Sequence, residues 1–250
     1  MESKKNNLKR YGLIGKNIEY SFSRGYFKEK FENENLPDCS YENFDLNHIS
    51  EVKEVLGTPG IFGLNVTIPY KREIIPFLDK LSPAAAKMNA VNTIKFENDG
   101  SISGHNTDVF GFEKSLLELV PDPPKKALIL GTGGASSAIA YVFDKLNIDF
   151  SFVSRSEGDN TIKYKAVDAS LLPQHLLIIN ASPVGTFPDI EIAPALPYKG
   201  LNKNHVLYDL IYNPLETQFL KEGKTRGCKT SNGLKMLEYQ AEKSWEIWNR

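Results

Sequence analysis

The clearest pattern of apolar and polar residues lies near the middle of the chain. Residues 127–130 read Ala-Leu-Ile-Leu, residues 131–134 read Gly-Thr-Gly-Gly, and small and apolar residues recur at helical spacing over 135–143. This order predicts a strand, a tight turn and a helix. Because glycine has no Cβ, such a turn lets backbone N–H groups and a helix N-terminus approach a phosphate. The pattern therefore indicates either a dinucleotide site or a close-packed strand-to-helix turn.

Similar apolar runs alternate with helical stretches along the rest of the chain. Short strands are predicted over residues 11–15, 40–46, 62–68, 90–96, 101–104, 149–153, 176–180 and 205–209. An amphipathic helix is predicted over 232–248, and the proline-rich residues 121–124 read as a linker. Strands that alternate with helices favour the α/β class, with a parallel sheet covered on both faces.

Composition and charge narrow the class of protein. The 250 residues are enough for one large domain or two smaller ones, and 41% are hydrophobic and 24% charged. The formal net charge of −1 offers no general basic field for nucleic acid or an anionic membrane. The first ten residues are basic and polar with no apolar stretch after them, and no apolar run approaches a membrane span. A cytoplasmic protein is expected.

The cysteines and histidines give no support to a metal site. Cys39 and Cys228 are far apart and neither belongs to a Cys-x-x-Cys pair. The four histidines, which show no ligand spacing and are expected at the surface or in loops, are His48, His105, His175 and His205. Neither a disulfide nor a bound metal is predicted.

Several polar residues fall at predicted element ends. Ser21 and Ser23 stand at the start of a predicted helix, where hydroxyls act as caps or, with the unpaired N–H groups, hold a ligand carboxylate. Lys71 follows a strand that breaks at Pro69, and ligands of α/β sheets collect outside such strand ends. Asp108 opens another helix, where a cap is the simplest interpretation.

The strand tip that follows the glycine turn bears on the choice of cofactor. An acidic residue at this tip would hold the ribose 2′-hydroxyl of NAD, whereas this chain has Ser154, Arg155 and Ser156. A guanidinium binds a 2′-phosphate that a carboxylate would repel. NADP is therefore favoured over NAD, although Glu157 follows closely.

Taken together, several short motifs resemble the shikimate dehydrogenase family over nearly the whole chain. The matching segments are Tyr20-Ser21-Phe22-Ser23, Asn65-Val66-Thr67-Ile68-Pro69-Tyr70-Lys71, Ala90-Val91-Asn92-Thr93, Gly104 to Gly111, Gly131-Thr132-Gly133-Gly134-Ala135, Asp209 to Pro214 and Asn232-Gly233-Leu234. The resemblance implies a substrate-binding α/β domain over 1–108, completed by a C-terminal helix over 232–250. It also implies a Rossmann-type NADP-binding domain over 109–231, with the substrate held between the two domains.

The resemblance also implies a reaction and residue roles. The reaction is the NADPH-dependent, reversible reduction of 3-dehydroshikimate to shikimate in aromatic amino acid biosynthesis. Lys71 and Asp108 would form the catalytic pair. The substrate would be bound by Ser21, Ser23, Asn65, Thr67, Asn92, Tyr212 and Gln240. The cofactor would be bound by Gly131, Thr132, Gly133, Gly134, Ala135, Ser154, Arg155, Ser156 and Gly233.

The chain departs from the family pattern in three places. Arg24 stands where proline is frequent, Met88-Asn89 where a glycine is frequent, and Glu157 follows the tip where a second basic residue is frequent. Lys163 or Lys165 could compensate for the last departure. The alternatives are an NAD-accepting quinate/shikimate dehydrogenase and a non-catalytic regulatory protein that binds the same ligands. A monomer or a homodimer is expected.

Overall fold

The computed structural model describes residues 8–19, 21–156 and 158–250. The basic N-terminal segment through residue 7, Tyr20 of the first motif, and Glu157 lie outside these ranges. The described residues form two compact units. One contains the residues through Thr107 together with Ala241–Arg250, and the other is Asp108–Gln240.

The first unit is built on a mixed sheet. Its strands are β1 (Lys9–Gly15), β2 (Cys39–Asp45), β3 (Ile61–Val66), β4 (Lys80–Leu81), β5 (Thr93–Phe96) and β6 (Ile102–His105). Its helices are α1 (Phe22–Asn33), α2 (Val52–Leu56) and α3 (Pro83–Met88). The sheet order in the described residues is β2-β1-β3-β5-β6-β4, with β1 parallel to β2 and β3, and β5 antiparallel to β3 and β6.

The second unit contains a parallel sheet. Its elements are α4 (Asp108–Leu119), β7 (Lys126–Leu130), α5 (Gly134–Leu146), β8 (Asp149–Ser154), β9 (Thr161–Lys163), β10 (Leu177–Asn180), β11 (Val206–Asp209), α6 (Gln218–Lys224), β12 (Lys229–Ser231) and the start of α7 (Leu234–Trp248). The strand order is β12-β11-β10-β7-β8-β9, and all the pairs are parallel. Read from the other edge, this is the 3-2-1-4-5-6 order of a dinucleotide-binding sheet. The predicted α/β class is confirmed.

Local chemistry explains both ends of α3. Ser82 caps α3 by accepting a hydrogen bond from the Ala85 N–H at 3.3 Å, and Pro83 follows at the first helical position. The helix ends at Asn89, whose φ of 49° is left-handed. Asparagine tolerates this conformation better than most residues, which explains how the chain turns here without glycine.

The two units divide the final helix between them. The sequence placed the domain boundaries after residues 108 and 231. In the structure, the chain passes from one compact unit to the other after Thr107 and again after Gln240. Residues 234–240 pack within the second unit, where a Cβ on Gly111 of α4 would lie 2.5 Å from the Met236 carbonyl oxygen. The proline-rich residues 121–124 lie inside the second unit, between α4 and β7.

The end of α7 completes the core of the first unit. Trp248 packs against Tyr11 and Phe27, with ring centroids 5.0 and 5.3 Å apart, and its indole N–H donates to the Ile94 carbonyl at 2.9 Å. The ring lies directly over Gly63 of β3, so that a Cβ there would overlap it. The glycine is therefore required by the helix that covers the strand.

Two structural features test the expectations about the histidines and about membrane-spanning segments. His205 lies in the loop just before β11, where it is fully buried and its ring contacts Asn202 and the Leu172 carbonyl. His105 is the half-buried last residue of β6, so the expectation of a surface or loop position was wrong for His105. In the described ranges, no helix has the length and apolarity that crossing a membrane requires.

We expect Gly63→Ala to lower the free energy of unfolding by about 1–3 kcal/mol, because the added methyl group displaces the Trp248 ring from a well-packed core. Gly25→Ala is the matched control, since a Cβ at this position in α1 meets no atom within 4 Å. Replacing glycine within a helix should raise stability by about 0.5–1 kcal/mol. Urea unfolding measures both, and a wild-type midpoint for Gly63→Ala would contradict the packing argument.

Candidate active site

A cluster of buried polar side chains lies at the carboxyl end of β3. The Asn65 amide nitrogen donates to the Asn92 carbonyl at 3.2 Å, the Thr93 hydroxyl at 3.3 Å and the Ser244 hydroxyl at 3.0 Å. The Asn92 side-chain oxygen accepts from the Thr107 N–H at 2.7 Å. The structure thus brings together the predicted residues Asn65 and Asn92, in a site whose polar groups are satisfied by protein.

Both candidate serines lie at the start of α1. Ser21 is the N-cap, and its hydroxyl accepts a 3.4 Å hydrogen bond from the Arg24 N–H and donates to the Asn43 side-chain oxygen at 3.1 Å. Ser23 lies half-buried in the first turn. A hydroxyl beside unpaired helix N–H groups can serve as a cap and as part of an anion site.

The segment that carries Thr67 and Lys71 is held by backbone hydrogen bonds. The Thr67 N–H donates to the Ile14 carbonyl at 2.8 Å, and the Lys71 carbonyl accepts from the Val91 N–H at 2.7 Å. Both side chains are half-buried. Lys71 therefore lies just beyond the carboxyl end of β3, as the sequence predicted from the break at Pro69.

Three other predicted residues belong to the second unit. Asp108 is the first residue of α4 and is half-buried. Tyr212 follows β11 and is 37% exposed. Gln240 is buried, and its amide nitrogen donates to the Leu237 carbonyl at 3.0 Å.

The glycine turn joins β7 to α5 as predicted. Gly131 has a φ of 105°, which side chains rarely adopt, and the Ser136 hydroxyl closes the turn by donating to its carbonyl at 2.9 Å. A Cβ on Gly133 or Gly134 would meet no protein atom within 4 Å. Packing within this chain does not explain these two glycines, whereas the close approach of a ligand to the helix N-terminus does.

A cavity of about 790 Å³ lies beside this turn. Its walls are the turn, the tip of β8 and the loop after β10. Among the predicted cofactor residues, those in the lining are Gly131, Thr132, Gly133, Ser154 and Arg155. The cavity lies at the carboxyl ends of β7 and β10, where the strand order reverses and where such sheets bind nucleotides.

The lining of this cavity does not include the predicted cofactor residues Ser156, Ala135 and Gly233. Ser156 lines an adjoining cavity of about 340 Å³ together with Thr132, and Ala135 is exposed in the first turn of α5. Gly233 is buried against the loop after β11, where a Cβ would overlap the Leu210 carbonyl, and its N–H donates to the Ile211 carbonyl at 3.0 Å. Close backbone packing is sufficient reason for glycine at position 233.

Arg155 places a positive charge at the strand tip, where it lines the cavity. Arg155 is exposed, and its charge acts on Tyr164, the pKa of which is raised by burial and lowered in part by the guanidinium. Lys163 is the register partner of Ser154 across the parallel pair of β8 and β9, whereas Lys165 is exposed beyond it. Of the two compensating lysines, Lys163 therefore has its backbone beside the tip.

A buried carboxylate holds the two loops that follow β10 and β11. Asp209 accepts from the Asn180 amide at 3.0 Å, the Ile211 N–H at 3.0 Å and the Thr217 hydroxyl at 2.6 Å. Asn180 in turn accepts from the Ser182 hydroxyl at 2.7 Å. Burial raises the pKa of Asp209 to about 6, while its three donors act in the opposite direction.

The sequence did not predict that Asp209 is the centre of this network. It also did not predict that Tyr41 and Asn43 contact candidate substrate-binding residues. The Tyr41 hydroxyl donates to the Asn65 side-chain oxygen at 2.8 Å. The available signal was the spacing of Tyr41 and Asn43 at alternate positions of a predicted strand.

In the described residues, no group of three or more His, Cys, Asp or Glu side chains could hold a metal ion.

Comparison with known proteins assigns the family. Residues 13–94 match the model for the shikimate dehydrogenase substrate binding domain. The chain is 36% identical to the shikimate dehydrogenase (NADP(+)) of Methanococcus vannielii over 95% of this chain and 90% of that protein. The chain belongs to the shikimate dehydrogenase family.

Solved structures of the shikimate dehydrogenase family share the fold. A crystal structure of shikimate dehydrogenase in complex with NADP⁺ has a TM-score of 0.86 and 34% identity, covering 96% of this chain and 89% of that chain. The shikimate 5-dehydrogenase of Listeria monocytogenes, in complex with shikimate and NAD, has a TM-score of 0.89 and 28% identity, covering 100% and 94%. The predicted Rossmann-type domain is confirmed.

We expect Asp209→Asn to become more stable relative to the wild type as pH rises from about 4 to 6. The folded-state pKa of Asp209, about 6, lies above its usual value of 3.8, so the folded protein binds the proton more tightly and loses stability as the carboxyl ionises. The relative gain of the variant should approach about 3 kcal/mol. Urea unfolding at pH 3 and 7.5 measures it.

The matched control is Asp168→Asn in the same unit. The Ser170 side chain and backbone N–H groups lower the pKa of Asp168, so its carboxylate stabilises the fold above the unfolded pKa and that contribution is lost as pH falls. This variant should shift with the opposite sign. Equal pH dependence of the Asp209 variant and the wild type would refute the assignment.

Proposed function

We propose that this protein is an NADP-dependent shikimate dehydrogenase that reversibly reduces 3-dehydroshikimate to shikimate in aromatic amino acid biosynthesis. The observation that carries the proposal is the match to a shikimate dehydrogenase (NADP(+)) over nearly the full length of both chains. The cavity beside the glycine turn and the polar cluster at the end of β3 support it.

Residues of the first unit, together with Tyr212 and Gln240 of the second, are proposed to bind the substrate. Ser21 and Ser23, at the start of α1, would hold the carboxylate, with Tyr212 completing this part of the site. Asn65, Thr67, Asn92 and Gln240 would bind the ring hydroxyls. Buried groups of this kind enforce specificity, because an analogue that lacks a hydroxyl leaves them unpaired.

The cavity of the second unit is proposed to hold NADP. The open space at Gly133 and Gly134 fits a pyrophosphate at the N-terminus of α5, and Arg155 fits a 2′-phosphate. The backbone of Lys163 lies beside this tip, which supports a second positive charge there. When bound, NADPH supplies the hydride.

Lys71 and Asp108 are proposed to handle the proton. Negative charge develops on the ring oxygen as the ketone is reduced, so a cation that can also donate a proton lowers the barrier. Lys71 suits this role, and the Asp108 carboxylate would orient the ammonium.

The deciding experiment follows absorbance at the NADPH band with shikimate and NADP, and repeats it with NAD and with quinate. Shikimate oxidation with NADP supports the proposal. Equal or better rates with NAD would instead identify an NAD-accepting enzyme, and faster quinate oxidation a quinate dehydrogenase. Ligand binding without turnover would identify a non-catalytic protein.

Lys71→Ala should lower kcat by roughly 10²-fold to 10⁴-fold, the usual effect of removing a general acid or base. The dissociation constant for NADP should stay unchanged. Lys53→Ala removes an exposed lysine of α2 and should retain full activity. Near wild-type turnover by Lys71→Ala would remove this residue from the mechanism.

Arg155→Ala should raise KM for NADP about 10-fold or more and leave KM for shikimate unchanged, because a charge-assisted hydrogen bond contributes about 1.5–3 kcal/mol. Lys126→Ala removes a charge from the amino end of β7 and serves as the control. A rise confined to KM for shikimate would show that Arg155 does not bind the cofactor.

A further inference from the structure

Two side chains of β2 form hydrogen bonds with proposed substrate-binding residues. Tyr41 and Asn43 are two positions apart and so face the same side of the sheet. The Tyr41 hydroxyl donates to the Asn65 side-chain oxygen at 2.8 Å, and the Asn43 side-chain oxygen accepts from the Ser21 hydroxyl at 3.1 Å. One strand thus contacts residues from both α1 and β3.

Tyr41 determines which face of the Asn65 amide a ligand can use. The two amide protons of Asn65 already have three acceptors, at Asn92, Thr93 and Ser244. The Tyr41 hydroxyl occupies one lone pair of the side-chain oxygen, which leaves the other lone pair for a ligand. Any hydrogen bond between the Asn65 side chain and a ligand is therefore one that its oxygen accepts.

The Tyr41 side chain is itself held rigidly. Its ring stacks on Phe27, with centroids 4.6 Å apart and planes at 12°. Burial raises its pKa far above the usual range, so the phenol keeps the proton that it donates to Asn65, and the Ser23 side chain interacts with the same hydroxyl. A rigid, neutral phenol is a fixed donor at working pH.

Asn43 plays the corresponding part for Ser21. Its amide nitrogen donates to the Ile18 carbonyl at 2.6 Å, which fixes the amide orientation and turns the side-chain oxygen towards Ser21. The Ser21 hydroxyl therefore lies between Asn43 and the Arg24 N–H. Its oxygen is held in place until an arriving carboxylate takes the hydroxyl proton from Asn43.

We propose that Tyr41 and Asn43 are positioning residues of the substrate site, Tyr41 by fixing the Asn65 amide as an acceptor and Asn43 by fixing the Ser21 hydroxyl. The proposal rests on the proposed function, in which Asn65 and Ser21 contact shikimate. Neither residue contacts the substrate itself. Their effect is confined to substrate binding and selectivity and leaves the cofactor site unchanged.

The test replaces the Tyr41 hydroxyl alone. Tyr41→Phe keeps the stacked ring, and loss of one hydrogen bond worth about 0.5–1.5 kcal/mol should raise KM for shikimate about 3-fold to 10-fold. KM for NADP and kcat should remain within about 2-fold of the wild type. The preference for shikimate over its 4-deoxy or 5-deoxy analogue should fall for one of the two, since the Asn65 side-chain oxygen loses a bond that fixes it.

Two further variants separate positioning from general loosening. Tyr208→Phe removes a buried hydroxyl that bonds Ser115 at 2.6 Å in the second unit, and it should leave KM for shikimate unchanged. Asn43→Leu keeps a similar volume and should raise KM for shikimate without changing KM for NADP. It carries the test alone if circular dichroism shows Tyr41→Phe to be unfolded.

The outcomes are decisive in both directions. An unchanged KM for shikimate in both β2 variants, or a parallel rise in KM for NADP, overturns the proposal while leaving the proposed function intact. Wild-type turnover of shikimate is measured first, because its absence overturns the proposed function and with it the positioning roles.

Discussion

The buried amide of Asn65 must satisfy its hydrogen-bonding groups without bulk water, and the first unit is arranged around that requirement. An unpaired buried polar group costs about 1–3 kcal/mol, so each contact to this amide is under energetic constraint. The donors and acceptors come from β2, the segment before β5, β5 itself and α7. A polar site of this kind is rigid because moving any one partner leaves another unsatisfied.

The second unit meets the same requirement with a charge in place of an amide. Asp209 lies at the end of β11, fully buried, and its carboxylate is surrounded by three donors and no cation among them. The donors belong to β10, to the loop after β11 and to the residue that caps α6. The loop that lines the cavity and the loop that carries Tyr212 are therefore anchored at one point.

The sequence predicted the features that depend on local pattern. The glycine turn at Gly131, the α/β class and the strand tip at Arg155 all follow from residue type and spacing, and the structure has them where the pattern indicated. The short strands β4, β9 and β12 were missed, because two or three residues carry too little periodicity to distinguish a strand from a loop.

The features that depend on the folded chain were not accessible in the same way. Nothing local marks Tyr41 as a partner of Asn65, since 24 positions separate them and only the order β2-β1-β3 brings them together. The burial of His205 was missed for a related reason, because burial is decided by what covers a residue. The division of α7 at Gln240 likewise depends on α4, which lies more than a hundred positions earlier.

The position of Trp248 over Gly63 has a consequence for how the protein is made. The second unit is one continuous segment of the chain that lies between the two segments of the first unit. It is therefore fully synthesised once Gln240 has been added. The core of the first unit lacks Ala241, Ile247 and Trp248 until these later residues have been added. During synthesis the nucleotide-binding unit can therefore finish folding first, while β3 keeps an uncovered face until Trp248 follows.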